Sequence, residues 1–541
     1  MIKRTAFAFL LTLIFNCSTF AQVENVQISH PVYIFLSRAE AIGLLPHKSL
    51  ASLPLQKMEI QQCLTMIDKN RDKLTHNDME LLDKYLTEFE LKARQNTVLF
   101  FSSSDTSFVL SNDLFSSKEK LFYHNKYDST SVSVAPLWML DNMFDLESGN
   151  KSIIGTLGVR FWGTIDNKVG YYLQATNGRL FSGSRILAEQ EKYYSKSIKF
   201  TKLNDDVDFS ESHVNYRSGC FFASIARETK LEGAGLEQRT FIADLAPAFD
   251  ALTLAAKFSN FEYSFIHASL LGEPAKSELG AFSEIPAKYM AYHKISLRPS
   301  WGELAFIEQV IYSNRNTDLA YLNPIGFLKS IEHALRDRDN SLMGLFFTVR
   351  PINRLQFKGS YLLDDIIFEK VGTGYWSNKM AYNIAIEYAS IYNFDLGFEY
   401  ARVEPYTFSH FNRQNAVVHD GKLLGSILLP NSDRLLLSIK YWWGERYPIK
   451  LDFSYSRHGA NIYAGDSLIY NAGGDPLQTR RWNDPMEVDF LSGRIERNFS
   501  TSISFGYEFI RNFYILGYYR HSNINGNVRP YARLIIKFGD F

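Results

Sequence analysis

Long hydrophobic runs are missing from this sequence. Beyond residue 21 no stretch of eighteen uninterrupted apolar residues occurs, which excludes a membrane-spanning helix. Cysteine is scarce, with three in 541 residues, so no disulfide framework holds the chain together. Cys17 falls in the leader, and Cys63 and Cys220 read as two buried small residues rather than a pair. Proline is also low, at 16, and glycine is dispersed, so no low-complexity tract interrupts the chain. Net charge is zero, 58 basic against 58 acidic side chains, which excludes a basic nucleic-acid surface and an acidic disordered chain. What is abundant is aromatic: 31 Tyr and 42 Phe.

Lys3 and Arg4 precede an apolar stretch, Ala6 to Phe15, and Thr19-Phe20-Ala21 offers small residues for cleavage. Residues 1–21 are therefore expected to be a signal peptide, with the mature chain starting at Gln22. Asn16 before Cys17 is a poor fit to lipid modification of that cysteine. An exported chain without an apolar helix enters a membrane only as a closed barrel, because lipid leaves open strand edges unsatisfied.

Residues 22–96 read as a small helical domain. Val32, Phe35, Leu36, Ala39 and Ile42 share one helical face, ended by Gly43. A second helix is expected to open at Pro54 and bury Leu55, Ile60, Leu64 and Ile67. Thr75 with Asp78 forms a capping-box pattern ahead of Met79, Leu82, Leu86 and Phe89. Three short helices bury little alone, so this domain must lean on the rest of the chain.

From residue 97 to 541 the period changes to two. In the stretch Ser341 to Asp365, Met343, Leu345, Phe347 and Val349 alternate with polar or small residues, and so do Leu355, Phe357, Gly359, Tyr361 and Leu363. Pro351 to Asn353 lies between as a turn, making a hairpin of strands about ten residues long, enough for a tilted strand to cross a bilayer. The pattern recurs through some twenty candidate strands, the first at 107–114 and 119–125. The connections alternate between short turns, such as Asp166-Asn167-Lys168 and Ser259-Asn260, and long loops, such as 178–209, 228–250, 314–340 and 459–497. Short turns on one rim and long loops on the other are the construction of outer-membrane barrels. The expected fold is a mostly β, transmembrane antiparallel barrel of about eighteen strands with a small N-terminal periplasmic helical domain, located in the outer membrane. Its C-terminal aromatic, Phe541, suits recognition by the barrel-assembly machinery.

The segments LSRAEAIGLL and LPLQKMEI in the helical head, followed by NPIGFLKSIEHALRDRDNSLMGL, SYLLDD, HDGKLLGSILLPNSD and YSRHGANIY in the barrel, resemble the Bacteroidetes-type members of the capsule assembly protein Wzi family. The resemblance spans essentially the whole mature chain. It implies an outer-membrane barrel with a periplasmic helical bundle that attaches capsular polysaccharide to the cell surface as a lectin. It assigns no residue.

The residues themselves carry no nucleophile or metal motif, so neither an enzyme nor a cofactor is expected. Asp364 and Asp365 occupy adjacent strand positions and are expected to point to opposite faces. Glu332, His333, Asp337 and Asp339 match no metal-ligand spacing and read as a solvated helix end. The loop 459–497 offers a sugar-site composition: Trp482 to stack on a pyranose or to close the loop, with Arg480, Arg481 and Asp484 to orient hydroxyls or an acidic substituent. The loop 314–340 carries a short amphipathic helix, Ile325, Leu328, Ile331 and Leu335, expected to fold inward as a lid. Two functions fit: a surface protein binding capsular polysaccharide, or a channel lined by Arg354, Lys358, Lys440 and Lys450. Outer-membrane lipid and surface polysaccharide are the expected partners, and nucleic acid is not.

Overall fold

The computed structural model describes residues 22–92, 97–100, 118–276, 283–444 and 446–541. The leader and the strand expected at 107–114 lie outside them. Three helices form the head: α1 (Val32–Ile42), α2 (Lys57–Asp68) and α3 (His76–Glu88). Gly43 ends α1 at φ 99°, where only a residue without Cβ sits without strain. The Thr75–Asp78 capping box opens α3 as expected. The second helix begins at Lys57 instead of Pro54, because Gln56 and Glu59 form a capping box of their own.

The barrel begins with β1 (Thr130–Asp145), β2 (Lys151–Ile165), β3 (Val169–Gly183), β4 (Asp206–Ser218), β5 (Phe221–Glu228) and β6 (Phe249–Phe258). It continues with β7 (Phe261–Leu271), β8 (Ala287–Leu297), β9 (Gly302–Ser313), β10 (Asn340–Ile352), β11 (Leu355–Asp365) and β12 (Lys379–Ala389). It ends with β13 (Phe394–Val403), β14 (Ser432–Tyr441), β15 (Ile449–Ala460), β16 (Arg494–Ile510), β17 (Phe513–Ile524) and β18 (Asn527–Phe538). Each strand pairs antiparallel with its neighbours, and β18 closes on β1 through Tyr531–Asp145 to Phe538–Trp138, giving a ring of eighteen. The short strand Tyr123–Tyr127 only extends the base of β1.

Alternation sorts the two faces. Leu345, Ile384, Phe398, Leu437, Ile503 and Phe505 are exposed on the outside, while Gln356, Ser360, Asn383 and Ser438 are buried inside. A closed barrel with an apolar outer belt leaves no strand edge unpaired in lipid. Trp301, Tyr392 and Trp443 stand exposed near the short-turn rim, where amphipathic rings suit the membrane interface. Asp166 and Asn167 both take positive φ, 49° and 55°, the paired left-handed geometry of a tight hairpin turn. The alternation of turn lengths has two exceptions beside the closing seam: the outer connections 146–150 and Asn525–Gly526 are short.

The head docks on the short-turn rim. Arg354, in the β10–β11 turn, donates its backbone N–H to Ala41 and its guanidinium to Ala389 and Lys73. Arg38 of α1 ion-pairs with Asp78 and with Asp395 of β13, and Trp442 joins the head's apolar core. From the opposite rim the loop 229–248 turns into the lumen. Its Leu231 and Glu232 pair antiparallel with Leu53 and Ser52 of the head. Glu399 on the wall accepts the N–H groups of Leu236 and Gln238, and Thr240 bonds Asn383. Phe241, Ile242 and Ala246 then build an apolar core with Met290, Ile311 and Phe346 of the wall.

Candidate functional site

Four outer loops converge on a cavity of about 350 Å³. The β9–β10 loop supplies Lys329, Glu332, His333 and Asp337, the β11–β12 loop supplies Trp376, and the loop after β13 supplies Ser409, His410 and Phe411. Arg480 reaches it from the β15–β16 loop.

Each wall has a local cause. The helix Leu328–Ala334 buries Leu328 against Ala291, Val310 and Tyr321, with Ile331 and Leu335 packed beside it. Ile325, expected on the same apolar face, is instead exposed, because the helix begins three residues later. Glu332 is not a solvated helix end. It is 2% exposed and held by Lys329 at 3.2 Å, with Ser341 at 3.5 Å. Burial raises its carboxyl above the usual range, with Lys329 opposing. Asp339 is taken by Arg315 in a bidentate pair, 2.8 and 2.6 Å, and by the Tyr321 hydroxyl. His333 and Asp337, 3.5 Å apart, stay exposed. With Glu332 they bring three possible ligand atoms within 4.8 Å of one another, but Lys329 already supplies the cation that Glu332 needs.

Asp364 and Asp365 both line the cavity, contrary to the expectation that strand alternation separates them. The reason is a register irregularity between Leu363 and Asp365 in the pairing with β12, which breaks the alternation at the strand end. Asp364 accepts the Phe408 N–H at 2.6 Å, and Asp365 accepts Ser377 at 2.5 Å.

The aromatic wall is Trp376 and Phe411. Trp376 is held by its backbone N–H to Met486, by Tyr406 edge-on at 6.0 Å and by Arg480 at 5.4 Å over its ring. Its Nε1 is buried and has no acceptor among the described residues. Phe411 is 73% exposed and touches His410, with ring centroids 4.0 Å apart. Burial, assisted by Lys379, lowers the His410 imidazole to about 4, so it is neutral at pH 7. An apolar ring face beside an orphaned N–H, carboxylates and cations is the composition that binds hydroxylated rings.

The sequence-predicted residues divide. Arg480 joins the cavity, anchored to the carbonyl oxygens of Pro485 and Asp484. Arg481 and Asp484 lock each other, at 2.7 and 3.0 Å, and Arg481 also donates to Leu468. Asp484 is buried, which alone would raise its carboxyl, but hydrogen bonds from Arg481 and Asn471 hold it below the ordinary value. These two residues shape the turn and have little left to offer a ligand. Trp482, between them, is 97% exposed and does not pack the loop shut. Trp376, Lys379, His410 and Phe411 were missed. Only the alternation of Trp376 and aromatic neighbours with charge in those loops hinted at them.

The residues expected to line a channel are committed elsewhere. Arg354 ties down the head, Lys358 and Lys440 both pair with Glu387, and Lys450 pairs with Glu237 and Asp452.

No family model matches the chain. No curated protein matches it in sequence. Among solved structures it is similar to Wzi, an outer-membrane protein involved in group 1 capsule assembly in Escherichia coli and described as a carbohydrate-binding β-barrel. That likeness has a TM-score of 0.57 at 11% identity and covers 95% of this chain and 98% of that one. Pseudomonas aeruginosa OpdQ and OprD are also similar, at 11% and 10% identity and TM-scores of 0.40 and 0.42. They cover 76% and 75% of this chain and 97% and 94% of their own. The architecture shared with the E. coli protein is that of an outer-membrane barrel.

Proposed function

We propose that this chain binds surface polysaccharide, of capsular type, in the outer cavity and holds it at the cell surface. The observation that carries the reading is the cavity's makeup. Trp376, with an orphaned Nε1, and the exposed Phe411 stand beside His333, Asp337 and Arg480 on the rim that faces away from the head. Trp482 stands fully in solvent two residues beyond Arg480, placed to stack on a sugar unit of a chain that leaves the cavity. The lumen supports binding over transport, since the head and the loop 229–248 meet inside it through the Ser52–Leu53 and Leu231–Glu232 pairing. The E. coli protein of similar fold, named for carbohydrate binding and capsule assembly, agrees with this reading.

The test is paired. Purified barrel is expected to bind polysaccharide extracted from its own host, with Trp376→Ala binding at least about fivefold more weakly, one lost contact of about 1 kcal/mol. In planar bilayers the same preparation is expected to show no steady conductance. Equal binding by the variant, or a steady pore current, contradicts the proposal.

A further inference from the structure

The lumen is not filled evenly. The two outer turns beside the seam, 146–150 and Asn525–Gly526, are too short to send chain inward. The apolar core made by the inserted loop is shared with β6 to β13 and does not reach β15 to β18. A chamber of about 730 Å³ remains against those last strands, floored by α1 and capped by Gln190 to Lys192 of the β3–β4 loop.

Most charges around it are matched. Lys358 and Lys440 share Glu387, Lys450 pairs with Glu237, Lys192 with Asp244, and Arg533 with Asp141 and Glu191. Three are not. Glu40 of α1 is 2% exposed, and among the described residues its carboxylate meets no hydrogen-bond donor and no ion-pair partner. Arg520 of β17 makes no ion pair among the described residues; its guanidinium lies 5.1 Å over the Tyr531 ring and its Nε has no acceptor among them. Among the described residues Arg239 of the inserted loop reaches only the carbonyl oxygens of Gly233 and Gly235. Burying an ionised group without a partner is unfavourable, so the buried Glu40, with two half-buried guanidinium groups on the same chamber, is a poor arrangement for packing alone.

We infer that this chamber is a second ligand site, for a small carboxylated saccharide. Its guanidinium groups from Arg239 and Arg520 take the carboxylate, and the Glu40 carboxylate accepts ring hydroxyls. The volume falls in the range of small-molecule sites and far exceeds a simple ion. Tyr33, Ile34 and Ile535 give the ring an apolar face, as sugar C–H groups require. Guanidinium suits carboxylate because two N–H groups meet two oxygens in parallel. The site is separate from the outer cavity and does not depend on its role.

Titration calorimetry on the full-length, detergent-solubilised protein tests it with three probes: D-glucuronate, D-glucose and acetate. Glucuronate is expected to bind at least tenfold more tightly than glucose or acetate. Arg520→Gln and Arg239→Gln, each checked for heat-modifiable migration, are expected to weaken glucuronate at least tenfold, and Arg494→Gln, an exposed arginine that lines neither cavity, to leave it unchanged. Should one arginine variant fail to fold, the other carries the result. Absent glucuronate binding, equal binding of acetate, or equal binding by a folded arginine variant overturns the inference. Equal loss with Arg494→Gln shows that surface charge holds the glucuronate and overturns the inference as well.

Discussion

Arg38 on the first head helix and Asp395 at the start of a barrel strand form an ion pair from which water is excluded, with side chains 1% and 4% exposed. Arg38 also holds Asp78 at 2.8 Å and the Ser390 carbonyl at 3.0 Å, and Asp395 accepts Trp442 Nε1 at 2.6 Å. Head and barrel are thus joined through one guanidinium. Arg38→Ala leaves two buried carboxylates uncompensated, an expected loss of about 3–5 kcal/mol. Trypsin should then cut within 69–73, where the barrel turn holds the Lys73 carbonyl through Arg354, far faster than in the parent, with the barrel core intact. Unchanged cutting rates show that the head is held by its apolar core alone.

Acid should loosen the same docking through a second cluster. Glu88 of the head is bonded by His30 at 3.0 Å and ion-paired with Arg446, which also reaches Glu508 at 3.0 Å. Asp540 lies 3.5 Å from His30. Burial alone would raise both carboxyls, but Arg446 and His30 outweigh it and hold each below its ordinary value, 4.5 for Glu88 and 3.8 for Asp540. Groups depressed in the folded state stabilise it fully above their unfolded values and lose that contribution as pH falls through the folded ones. Thermal unfolding of the head is therefore expected to be flat from about pH 7 to 5 and to drop below about pH 4. Glu88→Gln should lower stability at neutral pH and flatten the acid slope. An acid slope unchanged in that variant assigns the acid sensitivity to other groups.

The lipid-facing assignment is checked by neighbours in one strand. Phe357 faces outward, and Lys358 beside it is buried and paired with Glu387. Phe357→Arg places a charge in the membrane interior at a cost of about 2–4 kcal/mol near its midplane, so folded barrel should fall sharply on heat-modifiability gels. Lys358→Met removes a charge from the lumen and should leave the barrel band in place. Equal effects of the two would reverse the faces.

Much of this fold was legible because a barrel wall has two solvents. Leu355, Phe357 and Tyr361 had to be apolar for lipid, and Gln356, Lys358 and Ser360 polar for the interior, so period two survives in the sequence. The Thr75–Asp78 cap was legible because it acts over three residues. The inserted loop was not, since Thr240 meets Asn383 across 143 positions, and nothing local marks Phe241 and Ile242 as core. The outer cavity was half legible. Arg480 announced itself by composition, but Trp376 and Phe411 join it only when the ring closes, and Trp482 stands outside the cavity in solvent. The irregularity that brings Asp364 and Asp365 together has no sequence mark. Arg481 and Asp484 were sound as a charged pair, yet three residues apart they satisfied each other.

Retention of polysaccharide by cells tests the central claim most directly. Trp482→Ala is the cleanest variant, because a side chain that is 97% exposed supports nothing in the fold. Each stacking contact contributes only about 1 kcal/mol, so retention depends on many barrels gripping one long chain, and a small loss per site is multiplied. Cell-associated and shed polysaccharide are measured in a deletion strain carrying parent, Trp482→Ala or Trp482→Ala with Trp376→Ala, with barrel levels matched on heat-modifiability gels. The account predicts full retention with the parent, more shedding with the single variant, and shedding close to the empty deletion with the double. A deletion strain that sheds no more than the parent would contradict it.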